Sequence, residues 1–347
     1  MRESGLEIAK HLCPPLMMRS EQWQKKCWNL FKLSTQQRSD EEGYQSSLNN
    51  REDWYGDIMK YVLNNGILSL TVDSKGAEIH SLKNKETNIE YIWNANEVYW
   101  PYHAPLLFPV IGDIKNNTYF HKNKKYIMPV HGFIMEEDFK LKFINQDELI
   151  LVANETDRSL SMYPFRFSLE INYKLEKQTL YVKQTVKNTS AEAMPFSIGE
   201  HVGFSIPLFA SEKYSDCRLE FDEFETAPRY PLLENREIGK PEPFLKHDKF
   251  IRLNDTMFDR GALNFKDIRS QQVSLISDNH NHGITMTFPG FSYFSIWSIP
   301  KAPFICIEPC NGIAADENTS YDLFEKEGIH VLLPGESEQV YFSIITF

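Results

Sequence analysis

From residue 59 onward the chain is built of short runs in which apolar and polar positions alternate. Residues 59–63 open the pattern, and 67–72 repeat it. Residues 148–153 form a short apolar run of the kind a doubly covered strand shows. Residues 167–173 and 180–186 both alternate, and the polar stretch 175–179 between them predicts a hairpin. Further strands are predicted at 283–288, 293–297, 304–308 and 340–345. Aromatic and β-branched residues dominate these runs, as half-buried pleated surfaces favour. No long segment of this region carries the 3.6-residue period of a helix. Strands at short intervals without intervening helices exclude a Rossmann or TIM-barrel architecture. The expectation is an all-β fold, a large antiparallel β-sandwich filling residues 59–347 as one domain.

Residues 1–58 read differently. They mix Trp, Lys, Gln, Ser and Glu with little alternation. Trp23, Cys27 and Phe31 recur at four-residue spacing, so 19–33 is expected to form a short amphipathic helix. The rest reads as irregular. The segment is expected to be an extension outside the core fold, disordered or loosely docked. A natural appendage and an upstream-translated or artificial segment both fit.

Composition narrows the function classes. The 347 residues are 41% hydrophobic and 24% charged, values of a folded soluble chain. Lys and Arg number 37 against 48 Asp and Glu, a net charge of −11. Nucleic acid and anionic membranes are recognised largely through cations, so neither is an expected partner. No apolar run approaches the length of a spanning helix, and no secretory leader pattern opens the chain. Asn154, Asn188 and Asn318 begin Asn-x-Ser/Thr triplets, which carry meaning only on secretion. Five scattered cysteines without a CxxC pair suit free thiols in a reducing cytoplasm, and argue against a zinc site.

Phosphate loops, dinucleotide turns, GxSxG elbows and HExxH helices are all absent from the sequence. What remains is a set of histidines and carboxylates at strand ends. His131 precedes Gly132 in a loop, and is either functional or a packing histidine. His201 lies between Gly199 and Gly203 in an apolar strand context. Two glycines there suggest a bulge or the close approach of a ligand, against the alternative of a satisfied core histidine. Glu308 ends an apolar run before Pro309. A carboxylate so placed is partly desolvated, its pKa is raised, and it suits a general base; a strand end reaching solvent is the alternative. His103, His121, His247, His280, His282 and His330 have weaker contexts.

In order, the chain carries Gly76-Ala77-Glu78-Ile79, Tyr99-Trp100, Ala104-Pro105-Leu106-Leu107-Phe108-Pro109, His131-Gly132-Phe133, Tyr163-Pro164-Phe165, Met194-Pro195-Phe196 leading to His201, Glu308-Pro309, and Leu333-Pro334-Gly335. In order and spacing, residues 60–347 resemble the aldose 1-epimerase (galactose mutarotase-like) family, and most closely its bacterial sugar-operon branch. The resemblance implies a β-supersandwich with the sugar site on the concave face of one sheet. It implies interconversion of the α and β anomers of a free aldose by an isomerase that needs no metal or other cofactor. It implies a sugar as the partner of a cytoplasmic monomer or homodimer. By resemblance Glu308 is the catalytic base and His201 the acid, while His131 orients the sugar. Trp100, Phe133 or Phe204 would stack on the pyranose unless they belong to the core. Asp259 is a further substrate-binding candidate.

The chain departs from the family pattern at three places. Asp113 and Met135 stand where that branch carries arginines, and Val202 stands where it carries proline. The loss of two bidentate cationic donors disfavours a phosphorylated hexose. It also motivates one alternative to an active mutarotase, and a second stands beside that one. One is a non-catalytic carbohydrate-binding or sensor protein on the same scaffold. The other is an epimerase of a modified sugar whose cations come from Arg158, Arg166, Arg229, Arg252 or Arg260.

Overall fold

The computed structural model describes residues 59–347. The expected helix at 19–33 and the loose docking of 1–58 lie outside those residues. Among the described residues α-helix is confined to Asp157–Met162, which Thr156 and Ser159 cap reciprocally. No helix there is long and apolar enough to cross a membrane.

Two antiparallel sheets carry the fold. The first has nine strands in the order Asp248–Arg252, Cys217–Glu225, Gln272–Ser277, Gly283–Thr287, Ser337–Thr346, Thr179–Asn188, Phe167–Glu176, Glu148–Asn154 and Lys140–Ile144. The second has six, in the order Leu263–Lys266, Tyr293–Trp297, Phe304–Cys310, Gly199–Glu200 and Leu106–Leu107, with Val202–Ser205 also paired to Phe304–Cys310. A three-stranded sheet of Lys60–Asn64, Leu68–Asp73 and Ile79–Asn84 stands apart from both.

The alternation of the sequence is what closes this sandwich. In Phe167–Glu176 every second residue from Phe167 to Leu175 is buried. This strand pairs with Thr179–Asn188 from Glu176↔Thr179 to Phe167↔Asn188. The turn is therefore only Lys177 and Gln178, shorter than the predicted 175–179, with Lys177 in the left-handed region at φ 52°. One core contains Leu169, Ile171, Val182 and Phe342 of the larger sheet with Phe204, Phe294, Ile305 and Ile307 of the smaller. Each such side chain contributes about 1.5–3 kcal/mol on burial.

The strand Phe304–Cys310 is buried at all seven positions. Ile305 and Ile307 face the main core, whereas Cys306 and Cys310 belong to two smaller clusters on the opposite face. Glu308 therefore does not end this strand, as the sequence suggested. The strand continues through Pro309, which is tolerated because the neighbouring ladder is interrupted there. The register runs Gly199↔Cys310, then resumes at Val202↔Ile307. A proline without an N–H fits such a gap.

Candidate active site

The gap in that ladder brings two chemical groups together. Gly199 pairs with Cys310 and Gly203 with Cys306. Both flanking registers place His201 directly opposite Glu308, on the face turned away from the main core. Nε2 of His201 lies 3.3 Å from Oε1 of Glu308, and the two side chains are only 11% and 8% exposed. Nδ1 of His201 and Oε1 of Glu308 have no hydrogen-bond partner among the described residues. Buried polar atoms are normally satisfied, so unpaired ones mark a site built to receive something.

Burial dominates the electrostatics here. It pushes the Glu308 carboxyl up to about 8 and the His201 imidazole down to about 4. Between those values the pair holds one titratable proton in total. Carboxylic acid with neutral imidazole and carboxylate with imidazolium are two arrangements of the same state. The pair can thus give a proton at one atom while taking one at the other.

The two glycines around His201 serve close approach, but the approaching groups are the protein's own. A Cβ on Gly199 would stand 2.4 Å from Cys310 Sγ. A Cβ on Gly203 would stand 2.8 Å from the His103 carbonyl oxygen and 2.9 Å from Trp100. The ligand contact that the glycines suggested is therefore replaced by strand packing.

Trp100 packs beside His201. Its ring lies 4.8 Å from that of His201, and Trp297 closes another side of the imidazole at 5.6 Å, nearly perpendicular. Sequence reading missed Trp297, although its alternation with Ser295 in Tyr293–Trp297 was visible. The register pairs Ser295 with Glu308 and Asn264 with Ser295, so these three form a row across the sheet. Ser295 donates to Asn264 Oδ1 at 2.7 Å.

His131 stands beside the pair, its ring perpendicular to His201 with centroids 5.8 Å apart. Its φ of 60° is costly for a residue with a Cβ. Two bonds to one glycine hold it there: His131 N–H donates to the Gly112 carbonyl at 3.0 Å, and Gly112 N–H donates to His131 Nδ1 at 3.1 Å. Burial, with the charges of His201, Arg236 and Lys326 adding to it, holds the imidazole well below its usual value. A neutral imidazole whose Nδ1 accepts must carry its proton on Nε2, so His131 is a donor there.

Three candidates are placed elsewhere. Phe133 is 1% exposed and packs with Phe108, Tyr163 and Phe167 in the main core. Phe204 is likewise fully buried there. The reason is strand parity, since Phe204 points opposite to Gly203 and the site. Asp259 is exposed in a recess of about 570 Å³ shared with Arg229, Asn254 and Arg260, whose lining includes neither His201 nor Glu308.

The departures from the family pattern also find their places. Asp113 accepts from Arg236 Nε at 2.6 Å. Met135 packs beside Leu107, Ile111 and Cys310, and Val202 is a core residue. Glu200 points away from His201 and accepts from Gln184 of the larger sheet. Arg158, Arg166, Arg229, Arg252 and Arg260 are all tied to carboxylates of Glu137, Glu155, Glu242 or Asp278. The cations whose charge reaches His131 are instead Arg236 and the buried Lys326, which donates to the Ile313 carbonyl. Neither had a local sequence signal, because each is brought in by a distant loop.

A family profile described as Aldose 1-epimerase matches residues 59–344. The crystal structure of a galactose mutarotase related enzyme from Lactobacillus acidophilus is 31% identical, with a TM-score of 0.78 over 83% of this chain and 97% of its own. A galactose mutarotase-like protein from Lactobacillus casei is 28% identical, with a TM-score of 0.77 over 83% of this chain and all of its own. Plasmid-encoded protein LacX of Lactococcus lactis subsp. lactis is 28% identical over 296 residues, 82% of this chain and 99% of its own.

Proposed function

Because this chain belongs to the aldose 1-epimerase family, we propose that it interconverts the α and β anomers of a free aldose, with Glu308 and His201 as the proton-transfer pair. The observation that carries this reading is their direct apposition at 3.3 Å in a buried gap of the sheet. Residues 59–347 form the functional domain.

Mutarotation asks for two coupled proton transfers. A base removes the proton from the C1 hydroxyl while an acid protonates the ring oxygen as the C1–O5 bond breaks. The aldehyde rotates about C1–C2, and closure from its other face returns both protons. Glu308 as carboxylate takes the hydroxyl proton and His201 as imidazolium protonates O5. Each residue ends the cycle in its starting state, so no net proton is consumed. The one-proton state of the pair is the form this requires. His131 donates from Nε2, as suits a group that holds the sugar's ring oxygen, and Trp100 with Trp297 offers apolar faces to the pyranose.

A modified, anionic sugar is the second reading. It is favoured by Arg236 and Lys326 near His131, and opposed by the Asp113 carboxylate that already engages Arg236. Polarimetry of freshly dissolved α-D-glucose and α-D-galactose, with a parallel NMR anomer-exchange assay on a hexose 6-phosphate, separates the readings. Acceleration of a free aldose by wild type and not by Glu308→Gln is expected. Saturable sugar binding without acceleration of any substrate would replace the enzyme with a binding protein.

A further inference from the structure

Glu78 lies outside the proton-transfer pair but is tied to it through backbone. Its Oε1 accepts from the N–H groups of both His103 and Ala104, at 2.7 and 2.9 Å. Its Oε2 lies 3.2 Å from His80 Nε2. The His80 ring in turn stacks on that of His103, with centroids 4.0 Å apart. The same short strip of chain then meets the strands that present His201. The His103 carbonyl accepts from Gly203 N–H at 2.8 Å, and the Pro105 carbonyl accepts from His201 N–H at 3.1 Å. Pro105 has no N–H to return, so the strip holds His201 by a single bond where a regular ladder would use two.

We infer that Glu78 is a positioning residue for the His201 imidazole: its carboxylate fixes residues 103–105, and that strip fixes His201 and Gly203. The inference rests on the function proposed above. The strip follows the aromatic segment that carries Trp100 and, among the described residues, has no strand partner on its other side before Leu106–Leu107 begins. Without Glu78, the adjacent N–H groups of His103 and Ala104 would lose their shared acceptor. The carbonyls of His103 and Pro105 would then no longer be aimed. Burial opposes ionisation of Glu78, but the bonds from His80, His103 and Ala104 outweigh it and hold the carboxyl below its usual range. The anchor is thus a charged acceptor at neutral pH, which makes its bonds strong.

The test compares Glu78→Ala with Glu78→Gln and with Glu225→Ala. Glu225 is a more deeply buried carboxylate that likewise accepts from backbone, from Ser270 N–H and Oγ–H and from Arg269 N–H, in the larger sheet. Displacing a catalytic group by about 1 Å costs on the order of 100-fold in rate, so Glu78→Ala is expected to lower kcat by about 10- to 100-fold. KM should move less than about threefold, since the sugar's own contacts remain. Glu78→Gln keeps an acceptor oxygen and is expected to recover most of the rate. Glu225→Ala should lose stability while its folded fraction keeps wild-type kcat. The His201 imidazole NMR signal should shift in Glu78→Ala and not in Glu225→Ala. Should Glu78→Ala not fold, Glu78→Asp, whose shorter side chain cannot reach both N–H groups, is expected to show the same kcat loss. Wild-type kcat in folded Glu78→Ala, or equal losses in Glu78→Ala and Glu225→Ala, would overturn the inference. If wild type accelerates no sugar, the proposed function fails instead, and an unshifted His201 signal in Glu78→Ala would then refute the positioning role by itself.

Discussion

Replacing Glu308 by Gln should abolish catalysis and at the same time stabilise the protein, by an amount that grows with pH. Burial raises the folded carboxyl from its ordinary 4.5 to about 8. The folded state therefore holds a proton that the unfolded state releases between those values. Stability conferred by that proton is complete below 4.5 and is lost progressively as pH rises to about 8. At about 1.36 kcal/mol per pH unit, the wild type gives up roughly 3 kcal/mol by pH 7 and on the order of 4–5 kcal/mol by pH 8. Glutamine does not titrate and loses none of this. Its extra N–H group changes the offset between the two proteins but not the slope. Urea denaturation of both proteins at pH 5 and pH 8 measures the difference directly. The stability gap between them is expected to widen by about 4 kcal/mol across that interval. A gap independent of pH would show that Glu308 ionises freely in the folded protein, and the argument for its activation by burial would fail. Retained acceleration of anomer exchange in Glu308→Gln would remove it from the chemistry altogether.

Two further outcomes follow from the same geometry. The rate of anomer exchange should trace a bell, falling as pH drops toward about 4, where both members of the pair are protonated, and as it rises past about 8, where neither is; a rate still rising steadily above pH 9 would exclude the pair. Phe133→Ala should cost about 3–5 kcal/mol in denaturant unfolding as a core truncation, while KM and kcat of the folded fraction stay close to wild type; a collapse of sugar affinity at unchanged stability would return Phe133 to the site.

Much of the fold was legible where one face of a strand is wet, although Cys217–Glu225 and Gln272–Ser277 also alternate and were missed. Phe167–Glu176 and Thr179–Asn188 each bury alternate side chains, so their period shows in the sequence. Asp248–Arg252 did not show, because this edge strand buries only Ile251. Leu263–Lys266 is short and its polar Asn264 is itself buried, so alternation does not mark it. At the site, the residue types were legible and their partners were not. Glu308 and His201 each stood out locally, but 107 positions separate them, and only strand register shows that they meet. Phe133 and Trp100 are both aromatic residues in family-like motifs. Nothing local separates the one that fills the core from the one that walls His201. Arg236 and Lys326 needed the tertiary fold, since each reaches His131 from another loop.

The placement of the pair follows from two prolines. Pro105 faces His201 from one side, and Pro309 follows Glu308 on the other, so the sheet loses backbone donors on both flanks of the same point. His201 and Glu308 still stand opposite one another across the interruption, 3.3 Å apart. Nδ1 of His201 and Oε1 of Glu308 have no hydrogen-bond partner among the described residues, while Gly199 and Gly203 let the adjoining backbone close tightly on either side. Tight closure supplies the desolvation that separates the two pKa values, and the interruption leaves those two polar atoms without a partner in the sheet. Both follow from local backbone chemistry rather than from additional charged residues. That is why the Asp113 and Met135 departures leave the His201–Glu308 pair itself intact: neither side chain belongs to the gap.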